Sequence, residues 1–560
     1  MSQQQNESPV ERIKKASKGL RGTLKESLAD EHTGAIREDD QSLIKFHGMY
    51  MQDDRDRREE RATKKLERLY SFMLRLRLPG GFLTAEQYEA LHNIAGEHTT
   101  GVIKITTRQT VQLHGILKSH IKPTISAFNK QHLDSIAACG DVNRNVLATA
   151  HPKSSPIHEE VFGYADKIST LLLPKTRAYY EVWLDEEKLA EVNEEDPLYQ
   201  DRYLPRKFKI AVAIPPYNDV DVFANDVGLI AIIENNVLTG FNIAAGGGLG
   251  TTHGNAETYP RLATVLGYVA KEDALKVIYE IATVQRDFGN RSDRKLSRLK
   301  YTIDRLGIDA FKKEVEKRSN VAFAPAKKAP LTTRSDDYGW QKNHEGKWYF
   351  TAFVECGRIL DNDDTKLKTA FLEIAQTRKA TFRFTANQNL IVSDVENKDK
   401  KLVDDILKKY GVVQQTDKAS NVRKQSMACV AFNTCPLALA EAQRYLPGLI
   451  TKVEGLLGTH KLSDENIVIR MTGCPNGCAR PFMAEIGFVG TAYGKYNMHL
   501  GANAEGTRLN KLYKENLTEE EILKELDVLF KMFAQQRRKK EAFGDFVMRE
   551  AIFSESGLAI

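Results

Sequence analysis

The first 64 residues hold few apolar positions and alternate charge sign closely, as in D-D-R-D-R-R-E-E-R at 53–61. Such a stretch buries little surface and is expected to be extended, either as a solvated tail or as an arm that docks a partner. The pattern changes at Tyr70. Over Met73–Arg77 charged and apolar residues alternate, setting Arg75 and Arg77 on one strand face and Leu74 and Leu76 on the other, until Pro79-Gly80-Gly81 stops the strand. Thr84 and Gln87 form a capping-box pattern before a helix with Tyr88, Leu91 and Ile94 at helical spacing. A second strand is expected over V-I-K-I-T-T-R-Q-T-V-Q-L-H, although its alternation breaks at Thr107.

The same strand–helix–strand pattern returns at 348–355, 367–375 and 381–392. Ile94-Ala95 then corresponds to Ile374-Ala375, and Thr106-x-x-Gln109 to Thr385-x-x-Gln388, at offsets of 280 and 279 residues. Near-constant spacing predicts a duplicated half. Between the copies, 156–180 and 264–286 read as helical or mixed, and 207–216 and 229–233 as strands. The run F-N-I-A-A-G-G-G-L-G at 241–250 does not satisfy G-x-G-x-x-G, because His253 stands where the last glycine belongs, so a plain glycine turn is expected. Near the C-terminus, Leu517-Thr518-x-x-Glu521-Ile522 opens a long amphipathic helix expected to end in R-R-K-K at 537–540.

At 560 residues the chain is expected to hold several domains. A hydrophobic fraction of 41% and a charged fraction of 28% fit a soluble protein. No run of apolar residues is long enough to span a bilayer, and the opening M-S-Q-Q-Q-N-E-S-P has no apolar leader, so a cytoplasmic protein is expected, not a membrane one. The net charge of +6 is mild and comes without a nucleic-acid-binding module.

Four of the six cysteines fall within one stretch: Cys429 and Cys435 as C-x5-C, then Cys474 and Cys478 as C-x3-C in T-G-C-P-N-G-C. Four thiolates are the ligand set of a 4Fe–4S cluster. The x5 gap is wider than zinc knuckles use, and disulfides belong to oxidising compartments and small secreted domains. The remaining thiols, Cys139 and Cys356, read as ordinary buried or free cysteines.

These motifs resemble those of the sirohaem-dependent sulfite and nitrite reductases, and the likeness runs from about residue 65 to the C-terminus. The resemblance implies an α+β fold with pseudo-twofold repeated ferredoxin-like half-domains and mixed α/β sirohaem and cluster domains. The expected parts are an arm at 1–64, a first half-repeat at 65–150, a sirohaem and substrate domain at 151–335, a second half-repeat at 336–420 and a cluster domain at 421–560. It implies six-electron reduction of sulfite to sulfide in sulfur assimilation. Cys429, Cys435, Cys474 and Cys478 would hold the cluster, with Cys478 also ligating the sirohaem iron. No flavin or nicotinamide fingerprint is present, so electrons would come from a flavoprotein subunit that carries FAD and FMN and uses NADPH, or from ferredoxin. A zinc or cluster protein without turnover is the reading from a different class.

Sulfite is a small dianion, and arginine forks and closely spaced lysines suit it. Arg75 lies on the strand before the P-G-G turn, Arg144 in the loop-like N-R-N, and Lys207 and Lys209 on one strand face. Taken singly, each reads as a surface charge. By the resemblance, all four bind sulfite and relay protons. Lys104, Arg108, Gln112, Arg206, Arg298 and Asn476 match positions that hold the macrocycle or its carboxylates, and Arg298 falls where relatives can carry lysine. His114 lies on the same strand motif and is expected to be a hydrogen-bonding or core residue. Nitrite-reducing relatives typically carry asparagine where Lys209 stands, which favours sulfite. Dissimilatory relatives insert a cysteine-rich module that is missing here.

Overall fold

A computed structural model describes residues 7–152, 156–183 and 195–553. The first six residues, part of the stretch read for a leader, lie outside it. The first half of the chain forms β1 (Met49–Asp53), β2 (Tyr70–Arg75), β3 (Phe82–Leu83), β4 (Ile103–Ile105) and β5 (Val111–Ile116). These are followed by β6 (Leu147–Ala148), β7 (Ile210–Ala213), β8 (Val227–Glu234), β9 (Val237–Ala245) and β10 (Thr264–Ala270). The second half repeats the series as β11 (Gly339–Lys342), β12 (Trp348–Ala352), β13 (Arg358–Ile359), β14 (Thr381–Phe384) and β15 (Leu390–Val395). It closes with β16 (Met427–Ala428), β17 (Ile469–Thr472), β18 (Ile486–Ala492), β19 (Lys495–Leu500) and β20 (Lys511–Leu517).

The sheet orders are β1-β2-β5-β4-β13 and β11-β12-β15-β14-β3, so each half lends one short strand to the other's sheet. The remaining sheets run β6 to β10 and β16 to β20 in sequence order. In each, the first three strands are parallel and the last two antiparallel. Ile210 pairs with Val227 and Ile469 with Ile486, so both members of the second pair lie 259 residues beyond those of the first (469 − 210 and 486 − 227). The duplication is therefore wider than the strand–helix–strand unit and takes in the region of the four clustered cysteines. The α+β class agrees with the sequence reading.

Helices Ala85–His98 and Leu367–Thr377 pack between the halves, where Tyr88 stacks on Phe382 at 4.3 Å. The first starts with the capping box of Thr84 and Gln87, and Glu519–Gln536 starts with that of Thr518 and Glu521. The second of these helices stops at Gln536, so R-R-K-K follows it instead of forming its last turn.

The expectation of an extended arm over 1–64 is corrected within the described residues. The segment folds into short helices, and Leu20, Leu24, Leu43, Ile44, Phe46 and Met49 are buried in the main core. β1 completes the first sheet, with Met49 opposite Leu74. The few apolar residues sit where the chain crosses the core, and composition averaged over the segment hides them. The strand expected at 102–114 is also two strands. Residues 106–110 turn between β4 and β5, with Gln109 at φ +51°. The broken alternation at Thr107 marks that turn, and Thr385–Asn389 turns in the same way in the second copy, with Gln388 at φ +68°.

Candidate functional site

The first of the two turns and loops of the two mixed sheets meet at a cleft whose lining includes Arg108, Lys209, Asn225, Arg298, Asn476 and Cys478. Thr107 reaches the cysteine turn directly, its Oγ1 donating to the Cys478 carbonyl at 2.8 Å. Of the four clustered cysteines only Cys478 is exposed, on the cleft side; Cys474 is buried, and Cys429 and Cys435 are half-buried. Burial raises the thiol pKa values of Cys429, Cys435 and Cys474, and Cys478 is the next cause for each. Gly473 N–H reaches Cys429 Sγ at 3.4 Å and Leu439 N–H bonds the Gly473 carbonyl at 2.7 Å, so the two cysteine pairs adjoin. Among the described residues, no three of the four sulfurs fall within 4.8 Å of one another. A single tetrahedral zinc needs sulfurs only about 3.8 Å apart, whereas a cubane with one thiolate per iron spreads them wider. The donor set fits a 4Fe–4S cluster.

The cleft is crowded with positive charge. Burial and the Arg206 and Arg298 guanidiniums push Lys207 down to about 7, and burial with Lys207 and Arg108 pushes Lys209 well below its ordinary value. Burial, then Arg480 and Arg144, lowers Arg108 to about 9, and burial with Arg294 lowers Arg206 to about 10. Arg108 spends its terminal nitrogens on Asn225 Oδ1 and on the Asn145 and Ile210 carbonyls, leaving its buried Nε without a partner. Arg298 is held by Asp226 at 2.8 Å. Buried cations that mutually lower their pKa values favour a bound anion, and the charge of the lining suits the carboxylates of a macrocycle.

Arg75 and Arg144 adjoin this set. Arg75 Nη1 lies 3.1 Å from Cys139 Sγ, and Arg144 donates to the Gly140 carbonyl at 2.8 Å. Burial lowers the Arg75 pKa, but Cys139 and Tyr50, followed by Cys478 and Cys435, together raise it. Lys104 and His114 lie on β4 and β5 and are not among the residues lining the cleft. Burial with Arg358 and Arg444 takes Lys104 to about 8. His114 is buried; its Nδ1 meets Gln52 Oε1 at 3.0 Å and Thr434 Oγ1 at 3.2 Å. Gln112, oriented with its amide nitrogen toward His114 Nε2, turns its oxygen to Arg75. Burial, and then the charges of Lys104 and Arg75, hold His114 well below its ordinary value.

Sequence reasoning missed several residues. Tyr50 lies on β1 and hydrogen-bonds with Arg144; it was lost in the segment read as solvated. Asp221 is buried and meets Arg334, Arg470 and Arg480 at 2.7, 2.6 and 2.5 Å. Burial raises its pKa, but the three guanidiniums win and hold it below the usual carboxylate range. Arg480 also donates to the carbonyls of Thr107 and Ala386, which lie in the matching turns of the two copies. The signal was present in D-V-F-A-N-D at 221–226 and R-P-F-M-A-E at 480–485, which share the offset of 259 (480 − 221).

The chain belongs to the nitrite and sulphite reductase family. Residues 163–323 match the family described as "Nitrite and sulphite reductase 4Fe-4S domain", and residues 65–131 and 341–410 match "Nitrite/Sulfite reductase ferredoxin-like half domain". The first match falls on the copy that lacks the clustered cysteines. Within the family, the chain is 66% identical over 553 residues to the "Sulfite reductase (NADPH) hemoprotein beta-component" of Leptospira biflexa, covering 99% of this chain and 100% of the relative. It is 52% identical over 551 residues to the protein of that name from Bacillus pumilus, covering 98% and 96% of the two chains. The solved structure of Mycobacterium tuberculosis NirA superposes with a TM-score of 0.77 at 24% identity, covering 96% of this chain and 95% of that one, and so shares the fold. Among the described residues, no helix is long and apolar enough to cross a membrane.

Proposed function

We propose that the chain reduces sulfite to sulfide as the haemoprotein subunit of an NADPH-dependent sulfite reductase. Cys429, Cys435, Cys474 and Cys478 would hold a 4Fe–4S cluster, and Cys478 would also ligate a sirohaem in the cationic cleft. The observation that carries this reading is the adjacency of the exposed Cys478 to a cleft of cations with few carboxylate partners. When bound, the cluster and sirohaem supply the electrons. Six electrons and six protons convert bisulfite to hydrosulfide and three waters.

The chain's own residues bind the anion and deliver protons. Arg75 and Arg144 present guanidiniums suited to oxyanions, with Arg75 oriented by Cys139 and Gln112 and Arg144 by Gly140. With a pKa near 7, Lys207 can hold a proton and release it at neutral pH, and Lys209 beside it is made more acidic by the Lys207 charge. Lys104, Arg108, Gln112, Arg206, Arg298 and Asn476 would hold the macrocycle or its carboxylates, with His114 a hydrogen-bonding residue on the same strand. NADPH gives up two electrons at once, whereas a cluster takes them singly. A flavoprotein carrying FAD and FMN is therefore the proposed donor, with ferredoxin the alternative.

The test is sulfide formed from sulfite by purified protein with reduced methyl viologen, counted against electrons consumed. About six electrons per sulfide is expected. Protein that carries sirohaem and forms no sulfide would sink the reading, and ammonia from nitrite alone would transfer it to that substrate.

A further inference from the structure

The glycine run at 241–250 is not a nucleotide motif, and the proposed chemistry does not use it. It leaves β9 and turns at Gly246, where φ is +86°. A Cβ on Gly247 would stand 2.2 Å from the Phe223 carbonyl, and one on Gly250 would stand 3.0 Å from the Asn476 carbonyl. The loop is thus pressed against the turn between Cys474 and Cys478. Thr251 completes the contact, its N–H donating to the Pro475 carbonyl at 2.9 Å and its Oγ1 to the same oxygen at 3.3 Å.

Lys300 lies beneath this loop. Its side chain is fully buried, and its ammonium donates to the carbonyls of Gly248 and Gly250, at 3.0 Å each, and to that of Tyr259. A lysine has three N–H donors, and here each finds a carbonyl. The nearby carboxylates are engaged elsewhere: Asp226 with Arg298, and Asp304 with Arg261 and Tyr259. The rings of Tyr301 and Tyr259 face the ammonium at 4.8 and 5.5 Å. Burying a cation without a carboxylate is costly, so the carbonyls of this loop are bound tightly only if their position matters to the fold or the site.

We propose that Lys300 is a positioning residue for the cysteine turn, fixing Cys474–Cys478 through the carbonyls of Gly248 and Gly250. This rests on the reading of Cys478 as the shared ligand of cluster and sirohaem. The loop comes from the first copy and the turn from the second, so one side chain sets the register between the halves at the point where the cofactors would meet. Lys300 is not itself among the residues that line the cleft, and it reaches the cleft wall only through the Gly250 carbonyl.

The test uses holoenzyme and three variants, read by sirohaem absorption and electron paramagnetic resonance as well as by viologen-driven turnover. Lys300→Met keeps the length of the side chain and removes its donors. It should shift both spectra and lower kcat by about tenfold to a hundredfold, the range for residues supporting metal ligands, while KM for sulfite stays nearly constant. Lys300→Gln keeps two donors without the charge and should recover most of the native spectrum. Gly250→Ala leaves Lys300 intact and presses a methyl on Asn476, so it should shift the spectra in the same sense. Unchanged spectra in Lys300→Met would overturn the proposal. If that variant does not fold, unchanged spectra in Gly250→Ala would do so. A wild-type protein with both cofactors and no sulfide production defeats the proposed substrate and leaves this spectral test standing.

Discussion

The sheets β6–β10 and β16–β20 share order, direction and register, yet only one carries the clustered cysteines. Thr149 N–H bonds the Val212 carbonyl and Cys429 N–H bonds the Met471 carbonyl. Since 471 − 212 is again 259, Thr149 holds the place of Cys429. By the same offset Asp219 holds the place of Cys478 (478 − 219). In the first copy these two residues bond each other, Thr149 Oγ1 to Asp219 Oδ1 at 2.8 Å, beside a buried His151 and Asp336. Asp226 accepts from Lys209 N–H, and its counterpart Glu485 accepts from Val468 N–H. The backbone frame is therefore common and the chemistry is divided. One copy supplies cations and the glycine loop, and the other supplies sulfur. On the axis between them, matching positions have become opposite charges, Asp221 and Arg480.

The largest expected effect is on the sulfur side. Cys478→Ser should abolish sulfide production and alter both cofactor spectra, while Asp219→Asn at the matching place should leave cofactor content unchanged. Equal cofactor loss in both would break the comparison. On the cation side, Lys207→Met or Lys209→Met should lower viologen-driven kcat by about 10²- to 10⁴-fold with sirohaem retained. A loss confined to KM would move these lysines from proton delivery to binding. At the axis, Asp221→Asn leaves three buried guanidiniums uncompensated and should cost about 3–5 kcal/mol in chemical denaturation. A change below about 1 kcal/mol would show that the two copies do not depend on this ion pair.

The smallest effect is a slope with pH. Unfolded lysine keeps its proton to about 10.5, whereas folded Lys207 loses it above about 7. The unfolded chain thus binds more protons between these values, and stability of cofactor-free protein should rise with pH across that window. Lys207→Met should flatten the slope, and so should loading with sirohaem, whose carboxylates favour the charged lysine. A slope of opposite sign, measured by denaturation at several pH values, would contradict the crowding.

Much of the fold was legible because it rests on local chemistry. The capping boxes at Thr84 and Thr518 and the strand before the Pro79-Gly80-Gly81 turn follow from periodicity and turn residues, although that strand stops at Arg75 and not at Arg77, and the 279–280 offset follows from matched residues. The segment before residue 65 was misread because charge density conceals seven apolar side chains buried in the core. The wider repeat was overlooked because register is kept by backbone bonds and buried shape, which tolerate Thr149 against Cys429.

The sequence by itself determined the cysteine set, the pairing of Lys207 with Lys209 and the existence of two related halves. These depend on neighbours in the chain or on residue type. Only the tertiary structure decided that β3 and β13 exchange sheets, that Asp221 gathers three arginines, and that Lys300 bears on a turn about 175 residues away. Such contacts are set by which buried polar groups find partners once the halves close, and residues far apart in sequence carry no local sign of it.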